Sequence, residues 1–156
     1  MEKKSVEDSR TEQVYVLRYK DINGHGRLFG GMLLQWIDEL AGIVSRRHCQ
    51  MEVTTAAIDN LSFKSGAHLN DMVVLSGKLT YVGNSSMEVR VDTYIEDQQG
   101  MRRSINRAYM VMVAIDEEGR AVKVPGLELR TETEREEWKG GEKRYMLRKR
   151  RRIEGF

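Results

Sequence analysis

The chain has 156 residues, a length that favours a single domain, and 40% of them are hydrophobic, which is enough for one core. Its only cysteine, Cys49, excludes an internal disulfide and fits a reducing compartment, while the polar start MEKKSVEDSRTEQ lacks an apolar signal region. No stretch reaches the roughly twenty apolar residues that span a bilayer. We therefore expect a soluble, cytoplasmic protein.

The net charge of +2 hides an uneven distribution along the chain. Residues 139–156 carry eight Lys and Arg against two Glu, so the remainder of the chain is mildly acidic. Such a basic segment suits phosphates on a nucleic acid, a cofactor or a membrane surface, although it is most often a solvated helix end. We divide the chain into a flexible N-terminus at 1–11, a domain at 12–124 and a helical basic tail at 125–156.

The first part of the domain predicts a strand, a glycine-rich turn and a long helix. The segment EQVYVLRY at 12–19 is rich in valine and aromatic residues, as strands are. Glycines in NGHGRLFGG at 23–31 precede a helix in which apolar residues recur with helical spacing from Leu33 to Val44. The basic residues RRH at 46–48 lie near its C-terminal end, where the helix dipole favours positive charge.

After this helix the hydrophobic period becomes two, which is typical of strands. Four further strands are predicted at 53–63, 72–82, 85–97 and 104–116, separated in part by the turn signals YVGNSS, EDQQG and DEEGR. The order β-α-β-β-β-β, with most strands joined as hairpins, indicates an α+β domain. In it, a curved antiparallel sheet wraps around one long central helix.

The tail after Pro125 has the features of a basic helix. Thr131 and Glu134 match a capping box, glutamates crowd the start of the segment, and Lys and Arg crowd its end. The glycine pair at 140–141 predicts a kink or a break in this helix.

Asp38 lies within the apolar run of the first helix, at the border of its apolar stripe. Partial desolvation there would raise the pKa of the carboxylate and make it a useful base. More often, adjacent carboxylates such as Asp38 and Glu39 form the solvated side of an amphipathic helix. The glycines at 30–31 would let a ligand approach the free NH groups of the helix start, or would only shape a turn. Asn23, which precedes a glycine, is typically a turn residue.

Several other chemistries lack their motifs. His25, His48 and His68 are scattered without metal-ligand spacing, so we expect no metal site. No Gly-x-Ser-x-Gly elbow, P-loop or dinucleotide fingerprint is present. Few aromatic residues face outward from the predicted strands, which disfavours a nucleic-acid binder of the sheet type.

Taken together, these segments resemble a known family. The motifs of the chain resemble, in kind and in order, those of the hotdog-fold acyl-CoA thioesterases. They are N-x-x-G-x-x-x-G-G-x-L-x-x-W-x-D, RRH, VTTAAIDNLSF, GNSSMEV, VPGL and a basic helix. The closest group is the bacterial and brain-type cytosolic acyl-CoA hydrolases. The resemblance extends from about Tyr19 to Arg152, with departures at Gly66, Asn70 and the 140–141 glycine pair, and it implies a hotdog fold.

The resemblance also implies roles for individual residues. Asp38 would act as general base or nucleophile on the thioester, Asn23 would position the water or the substrate, and the backbone NH of Gly31 would polarise the thioester carbonyl. Contacts to coenzyme A (CoA) would come from the strand after the helix, from a later turn and from one arginine of the tail. These residues are Thr55, Ala56, Ala57, Asn84, Ser85, Ser86 and Arg144, the last of which would meet a CoA phosphate.

The activity implied by the resemblance is hydrolysis of acyl-CoA to free CoA and a fatty acid, with CoA as part of the substrate and no separate cofactor. It also implies dimers that pair their sheets, hold the acyl pocket at their interface and commonly assemble into hexamers of three dimers. A non-catalytic acyl-CoA or nucleic-acid binding protein remains an alternative. A dehydratase on the same fold is a further one, although its usual histidine–acid pair is not evident.

Overall fold

The computed structural model describes residues 1–156 and contains seven strands and two long helices. They are β1 Lys4–Ser5, β2 Thr11–Val16, α1 Gly30–Cys49, β3 Glu52–Phe63, β4 Met72–Val82, β5 Ser86–Glu96, β6 Arg102–Ile115, β7 Leu127–Glu128 and α2 Glu132–Glu154. A short 3-10 turn, Tyr19–Asp21, precedes α1. Neither α-helix combines the length and the apolar character that a membrane crossing requires. The predicted order β-α-β-β-β-β is confirmed by β2, α1 and β3 to β6.

Five strands form one antiparallel sheet in the order β2-β4-β5-β6-β3. Strands β4, β5 and β6 follow one another as hairpins, whereas β2 and β3, which flank α1 in the chain, occupy opposite edges. All five strands contact α1, so the sheet surrounds one side of the helix. This arrangement is the hotdog fold, and it confirms the predicted fold class.

The helix α1 is buried along the stripe that its sequence predicts. Leu33, Ile37 and Val44 are each at most 2% exposed, and they belong to one continuous core cluster with the inward residues of the sheet. Gly77 of β4 lies against this stripe, because a Cβ at that position would lie 3.1 Å from side-chain atoms of Leu40 and Val44. The missing side chain brings the sheet close to the helix and so fixes the orientation of α1.

The helix α2 covers the outer face of the sheet and continues through 140–141, so the predicted break there is wrong. Gly141 is buried, and a Cβ there would lie 2.5 Å from the Cβ of Tyr81. The glycine therefore serves close packing of the helix on β4. The capping box is confirmed, since the Thr131 hydroxyl accepts from the Glu134 NH at 3.1 Å.

The structure differs from the sequence-based expectation at residues 1–11, which are held against the domain. Strand β1 pairs in parallel with β7, and the backbone NH of Lys4 donates to the Gly126 carbonyl. Val6 is 2% exposed and joins the core, which explains why this polar segment is anchored. Cys49, at the end of α1, is likewise buried in the core.

Candidate active site

Asp38 lies in the third turn of α1 and faces the strand β3. The Thr55 hydroxyl of β3 donates to Asp38 Oδ1 at 2.5 Å, while Asp38 Oδ2 takes part in no hydrogen bond. The expected partial burial of Asp38 is wrong for the single protomer, because the residue falls outside the stripe that packs on the sheet and is exposed. The site therefore presents an oriented carboxylate with one free oxygen.

The neighbouring carboxylate has a different environment. Glu39 is also exposed, but its Oε1 accepts from Gln35 Nε2 at 3.0 Å along the same helix. This is an ordinary pair of side chains one helical turn apart. Of the two adjacent acids, only Asp38 is connected to a side chain from another element.

Asn23 closes the turn that leads into α1. Its side-chain Oδ1 accepts from the backbone NH groups of His25 at 2.9 Å and Arg27 at 3.2 Å, and its own NH donates to the Arg27 carbonyl at 2.7 Å. The side-chain NH2 group takes part in no hydrogen bond, and Asn23 lines a cleft at the start of α1. Asn23 thus acts as a turn residue and still has two free donors.

The start of α1 provides backbone donors beside Asn23. The Phe29 carbonyl accepts from the NH groups of Met32 and Leu33, which leaves the Gly30 and Gly31 NH groups without an intrahelical acceptor. A Cβ on Gly31 would lie only 2.7 Å from the Phe29 ring, so a larger residue would displace this half-exposed ring. The structure places the free NH groups at the positive end of the helix dipole.

The cleft at the start of α1 has a volume of about 370 Å³ and joins Asn23 to Gly30. Its apolar lining comes from the turn, the helix and the sheet: Leu28, Leu33, Phe63, Ala67 and Ile105. Arg27, Lys64, Ser65 and Gly66 complete it. Asp38 does not line this cleft, so within one protomer the structure does not bring Asp38 and Asn23 into one cavity.

Ala56, Ala57 and Arg144 lie along a second groove, between β3 and the C-terminal half of α2. Two adjoining clefts of about 550 and 370 Å³ make up this groove and share Asp59 and Arg151. Ala56 is a bulge residue, because the pairing of β3 with β6 skips it. The bulge lies next to Thr55, so the groove and the Asp38–Thr55 pair are neighbours along one strand.

Arg144 is already engaged by a buried acid. Its Nε and Nη2 donate to both carboxylate oxygens of Glu88 at 3.0 and 2.8 Å, and its guanidinium lies 3.6 Å from the Tyr109 ring centroid. Burial alone would lower the pKa of Arg144, but its hydrogen bonds to Glu88 and the nearby negative charge together outweigh burial and raise the pKa. Much of the charge expected for a CoA phosphate is therefore compensated within the protein. Arg152, which also lines the groove, has no carboxylate partner.

The segment Asn84–Ser86 forms the hairpin turn between β4 and β5. Its three carbonyls accept from the backbone NH groups of Val124, Ala114 and Gly83, so the backbone of the turn is occupied. Asn84 lines a third cleft, beside the N-terminus and residues 123–129. This cleft shares no residue with the groove of Arg144, and one protomer does not bring these predicted CoA contacts together.

An ion-pair network beneath α2 was not predicted from the sequence. Arg148 Nη1 donates to Asp59 Oδ2 at 2.8 Å and lies 3.4 Å from Glu88 Oε2, while Arg151 donates to Asp59 Oδ1 at 2.9 Å. Burial alone would raise the pKa of Asp59, but the hydrogen bonds from both arginines outweigh it and lower the pKa. One signal was available, because Arg144, Arg148 and Arg151 recur on one helix face.

No group of three or more His, Cys, Asp or Glu side chains is placed to hold a metal ion. His25 and His68 are exposed. His48 is fully buried, its Nε2 lies 2.8 Å from the Pro125 carbonyl, and burial lowers its pKa. It serves the packing of α1 against the segment before β7.

Known proteins with similar sequences are acyl-CoA thioester hydrolases by name. The thioesterase superfamily model matches residues 25–101. An uncharacterised acyl-CoA thioester hydrolase of Bacillus subtilis is 38% identical, over 80% of this chain and 72% of that protein. The human cytosolic acyl coenzyme A thioester hydrolase is 31% identical over 97% of this chain, but the chain spans only 40% of the length of that relative.

Comparisons with solved structures extend the match. An apo-hexameric acyl-CoA thioesterase has a TM-score of 0.91 and 36% identity, over 97% of each chain. The acyl-CoA hydrolase of Staphylococcus aureus, solved with butyryl-CoA, CoA and CoA disulfide, has a TM-score of 0.91 and 32% identity, over 97% of this chain and 93% of that chain. That hydrolase is also solved as variants with an asparagine, an aspartate or a threonine replaced by alanine. The chain therefore belongs to the family of hotdog-fold acyl-CoA thioesterases.

Proposed function

We propose that this protein hydrolyses acyl-CoA thioesters to free CoA and a fatty acid. The observation that carries the proposal is the pair formed by Asp38 and Thr55, which gives a chain of this family an oriented carboxylate with a free oxygen. The Staphylococcus aureus variants support the choice of residues. Their asparagine, aspartate and threonine have the same spacing along the chain as Asn23, Asp38 and Thr55.

The chemistry assigns one task to each group. Asp38 Oδ2 takes a proton from a water that attacks the thioester carbonyl, or attacks that carbon itself and forms an anhydride that water then opens. The carbonyl oxygen gains negative charge, which the NH of Gly31 stabilises at the start of the helix. The carbon–sulfur bond breaks, and the CoA sulfur leaves and is protonated. Thr55 orients the carboxylate, and the free NH2 group of Asn23 positions the water or the substrate.

The complete site is shared between two protomers. The helical rise puts Asp38 about 12 Å along the axis from Gly30, which is too far for both ends to hold one thioester. A two-fold dimer supplies Asn23 and Gly31 from one protomer and Asp38 from the other, and it forms two equal sites. The strand β3 is an edge strand, so a second copy can pair with it. We propose this dimer as the active unit and a hexamer as the larger assembly, as in the hexameric structural relative.

CoA occupies the surface that extends from the bulge of β3 toward α2. Thr55, Ala56 and Ala57 lie beside the carboxylate and would contact the CoA moiety as it leaves the reaction centre. Arg144 lies farther along the groove and retains a free Nη1 group for a phosphate. The segment Asn84–Ser86 belongs to another cleft, so it joins a CoA site only across an interface between copies.

The experiment that tests the function is release of free thiol from acyl-CoA by wild type, Asp38→Asn and Glu39→Gln. We expect Asp38→Asn to lower kcat by at least about 100-fold, because the only carboxylate oriented toward the site is lost. Glu39→Gln is the matched control and should retain near-wild-type turnover, since the side chain of Glu39 is hydrogen-bonded only to Gln35 of its own helix.

Equal activity of the two variants would show that Asp38 is not a catalytic residue. If wild type releases no thiol from any acyl-CoA while CoA raises its melting temperature, the protein is a CoA-binding protein and not a hydrolase. A strong, salt-dependent stabilisation by nucleic acid alone would indicate a nucleic-acid binder.

A further inference from the structure

We infer that Phe63 sets the acyl chain length that the protein accepts, because the cleft at the start of α1 receives the acyl group. This inference rests on the proposed hydrolysis of acyl-CoA. It adds a location for the acyl chain and a residue that determines specificity.

The floor of the cleft is built from core residues. Leu33, Ala67 and Ile105 are each at most 2% exposed, yet all three line the cleft. An alkyl chain that lies against them transfers its own apolar surface from water to an apolar surface. Each methylene buried in such a place favours binding by about fourfold. The floor therefore suits an alkyl chain.

The cleft begins at the reactive end of the site. Gly30 lines it, and the adjacent Gly31 carries the free NH group assigned to the thioester carbonyl. A carbonyl held there has two substituents, the CoA sulfur and the alkyl chain. The groove of Ala56 and Ala57 takes the CoA side, so the alkyl chain extends into the cleft beside Leu33.

Phe63 forms the side wall of the cleft. It is the last residue of β3 and is 53% exposed, and its ring atom Cζ lies 3.8 Å from the position that a Cβ on Gly30 would take. The ring therefore closes the space between the end of β3 and the start of α1. Because it is half exposed, its truncation widens the cleft and removes little core packing.

The competing occupant is the pantetheine arm of CoA, which carries two amide groups. Its amides need hydrogen-bond partners, and burial without them is costly. The floor residues Leu33, Ala67 and Ile105 offer no side-chain donor or acceptor. The polar side chains that line the cleft are all exposed, so they do not belong to this floor: Asn23, Arg27, Lys64 and Ser65. The alkyl chain is thus the better match, and the two occupants predict different kinetics.

The test compares kcat/KM across straight-chain acyl-CoA substrates from acetyl-CoA to palmitoyl-CoA. Phe63→Ala should shift the optimum to longer chains and raise the ratio of long-chain to short-chain kcat/KM about tenfold. Gly30→Ala should shift it to shorter chains, because the added Cβ enters ordinary contact with the Phe63 ring and narrows the cleft. Val14→Ala is the control, since Val14 is 54% exposed on β2 and lies outside the cleft.

Each outcome decides one point. Thiol release with an unchanged chain-length profile in both cleft variants overturns the inference but leaves the hydrolase in place. A uniform loss at every chain length, together with weaker inhibition by free CoA, assigns the cleft to the pantetheine arm and also overturns it. Absence of thiol release by wild type at every length overturns the proposed function itself. Melting temperatures near that of wild type establish that the variants are folded.

Discussion

At the scale of single residues, the pairing of Arg144 with Glu88 changes how the basic tail is understood. Sequence patterns present Arg144 as one cation in a run of basic residues, free to meet a phosphate. In the structure it neutralises an acid that is fully buried under α2. The sequence does not reveal this, because Glu88 looks like any polar residue on the outward face of a strand, and α2 alone buries it.

We predict that Arg144→Ala lowers the free energy of unfolding by about 3 kcal/mol, because it leaves Glu88 buried without its main partner. Arg150→Ala, which breaks an exposed pair with Glu154, should change the stability by less than about 0.5 kcal/mol. The measurement is urea denaturation at pH 7 for both variants. Similar stability of the two variants would show that the buried pair contributes no more than a surface one.

The same pair determines how CoA binding should be assigned to Arg144. A double variant, Glu88→Leu with Arg144→Met, removes both charges and should recover most of the stability lost in Arg144→Ala. The affinities for CoA and for dephospho-CoA are then measured in this folded double variant. Weaker binding of CoA but not of dephospho-CoA would indicate a contact between Arg144 and the 3′-phosphate, whereas weaker binding of both would not.

At the scale of elements, α2 shows why glycine has two meanings in a helix. Gly140 and Gly141 are equally poor helix formers, yet only Gly141 faces the sheet closely. A Cβ on Gly141 would lie 2.5 Å from Tyr81 and 3.0 Å from Glu88 Oε1. A Cβ on Gly140 would lie 3.3 Å from Arg144 Nη1, the end of a side chain that can shift slightly.

These contacts predict that a glycine-to-alanine substitution changes the free energy of unfolding in opposite directions at the two positions. Gly141→Ala should lower the free energy of unfolding by about 1–3 kcal/mol, because it separates α2 from β4. Gly140→Ala should raise it by up to about 1 kcal/mol, since alanine favours the helix. Thermal and urea unfolding of the two variants are the measurements. Stabilisation by both would mean that the contact with Tyr81 does not limit the packing of α2.

The elements of the domain were predictable, but their docking was not. The periods of the sequence identify α1 and strands β2 to β6, because both depend on local spacing of apolar residues. The hydrophobic periodicity does not predict where α2 packs on the sheet. The contact surface of α2 is made of ion pairs and of aromatic contacts from Tyr81 to Trp138 and Tyr145. The family resemblance alone indicates both Asp38 and Thr55 as site residues. Their hydrogen bond depends on how β3 passes α1, which no local pattern contains.

At the scale of the whole molecule, one protomer carries the parts of the site without assembling them. Asn23 lines the cleft at the start of α1, whereas Asp38 lies outside it. The proposed dimer brings these residues together twice, once at each end of its symmetric interface. Activity would then require a second copy even though each chain folds with its own core.

Complementation between inactive chains checks this arrangement. We expect Asn23→Ala and Asp38→Asn chains to be nearly inactive alone, and their hybrid dimer to contain one intact site and one doubly defective site. Random co-assembly gives about half hybrids, so roughly a quarter of wild-type thiol release should return. The chains are co-expressed and the hybrids confirmed by two different affinity tags. No recovery in confirmed hybrids would assign both residues to the same protomer or exclude one from catalysis.

The buried end of α1 has a chemical consequence for a protein with this proposed reaction. Hydrolysis of a thioester releases a thiol, and oxidation of that thiol yields CoA disulfide. An accessible protein thiolate attacks CoA disulfide, forms a mixed disulfide and releases one CoA thiol. Cys49, the only cysteine of the chain, is 5% exposed, and burial raises the pKa of its thiol. It is therefore kept protonated and out of reach. The protein can work in a high concentration of its own thiol product without forming a mixed disulfide with it.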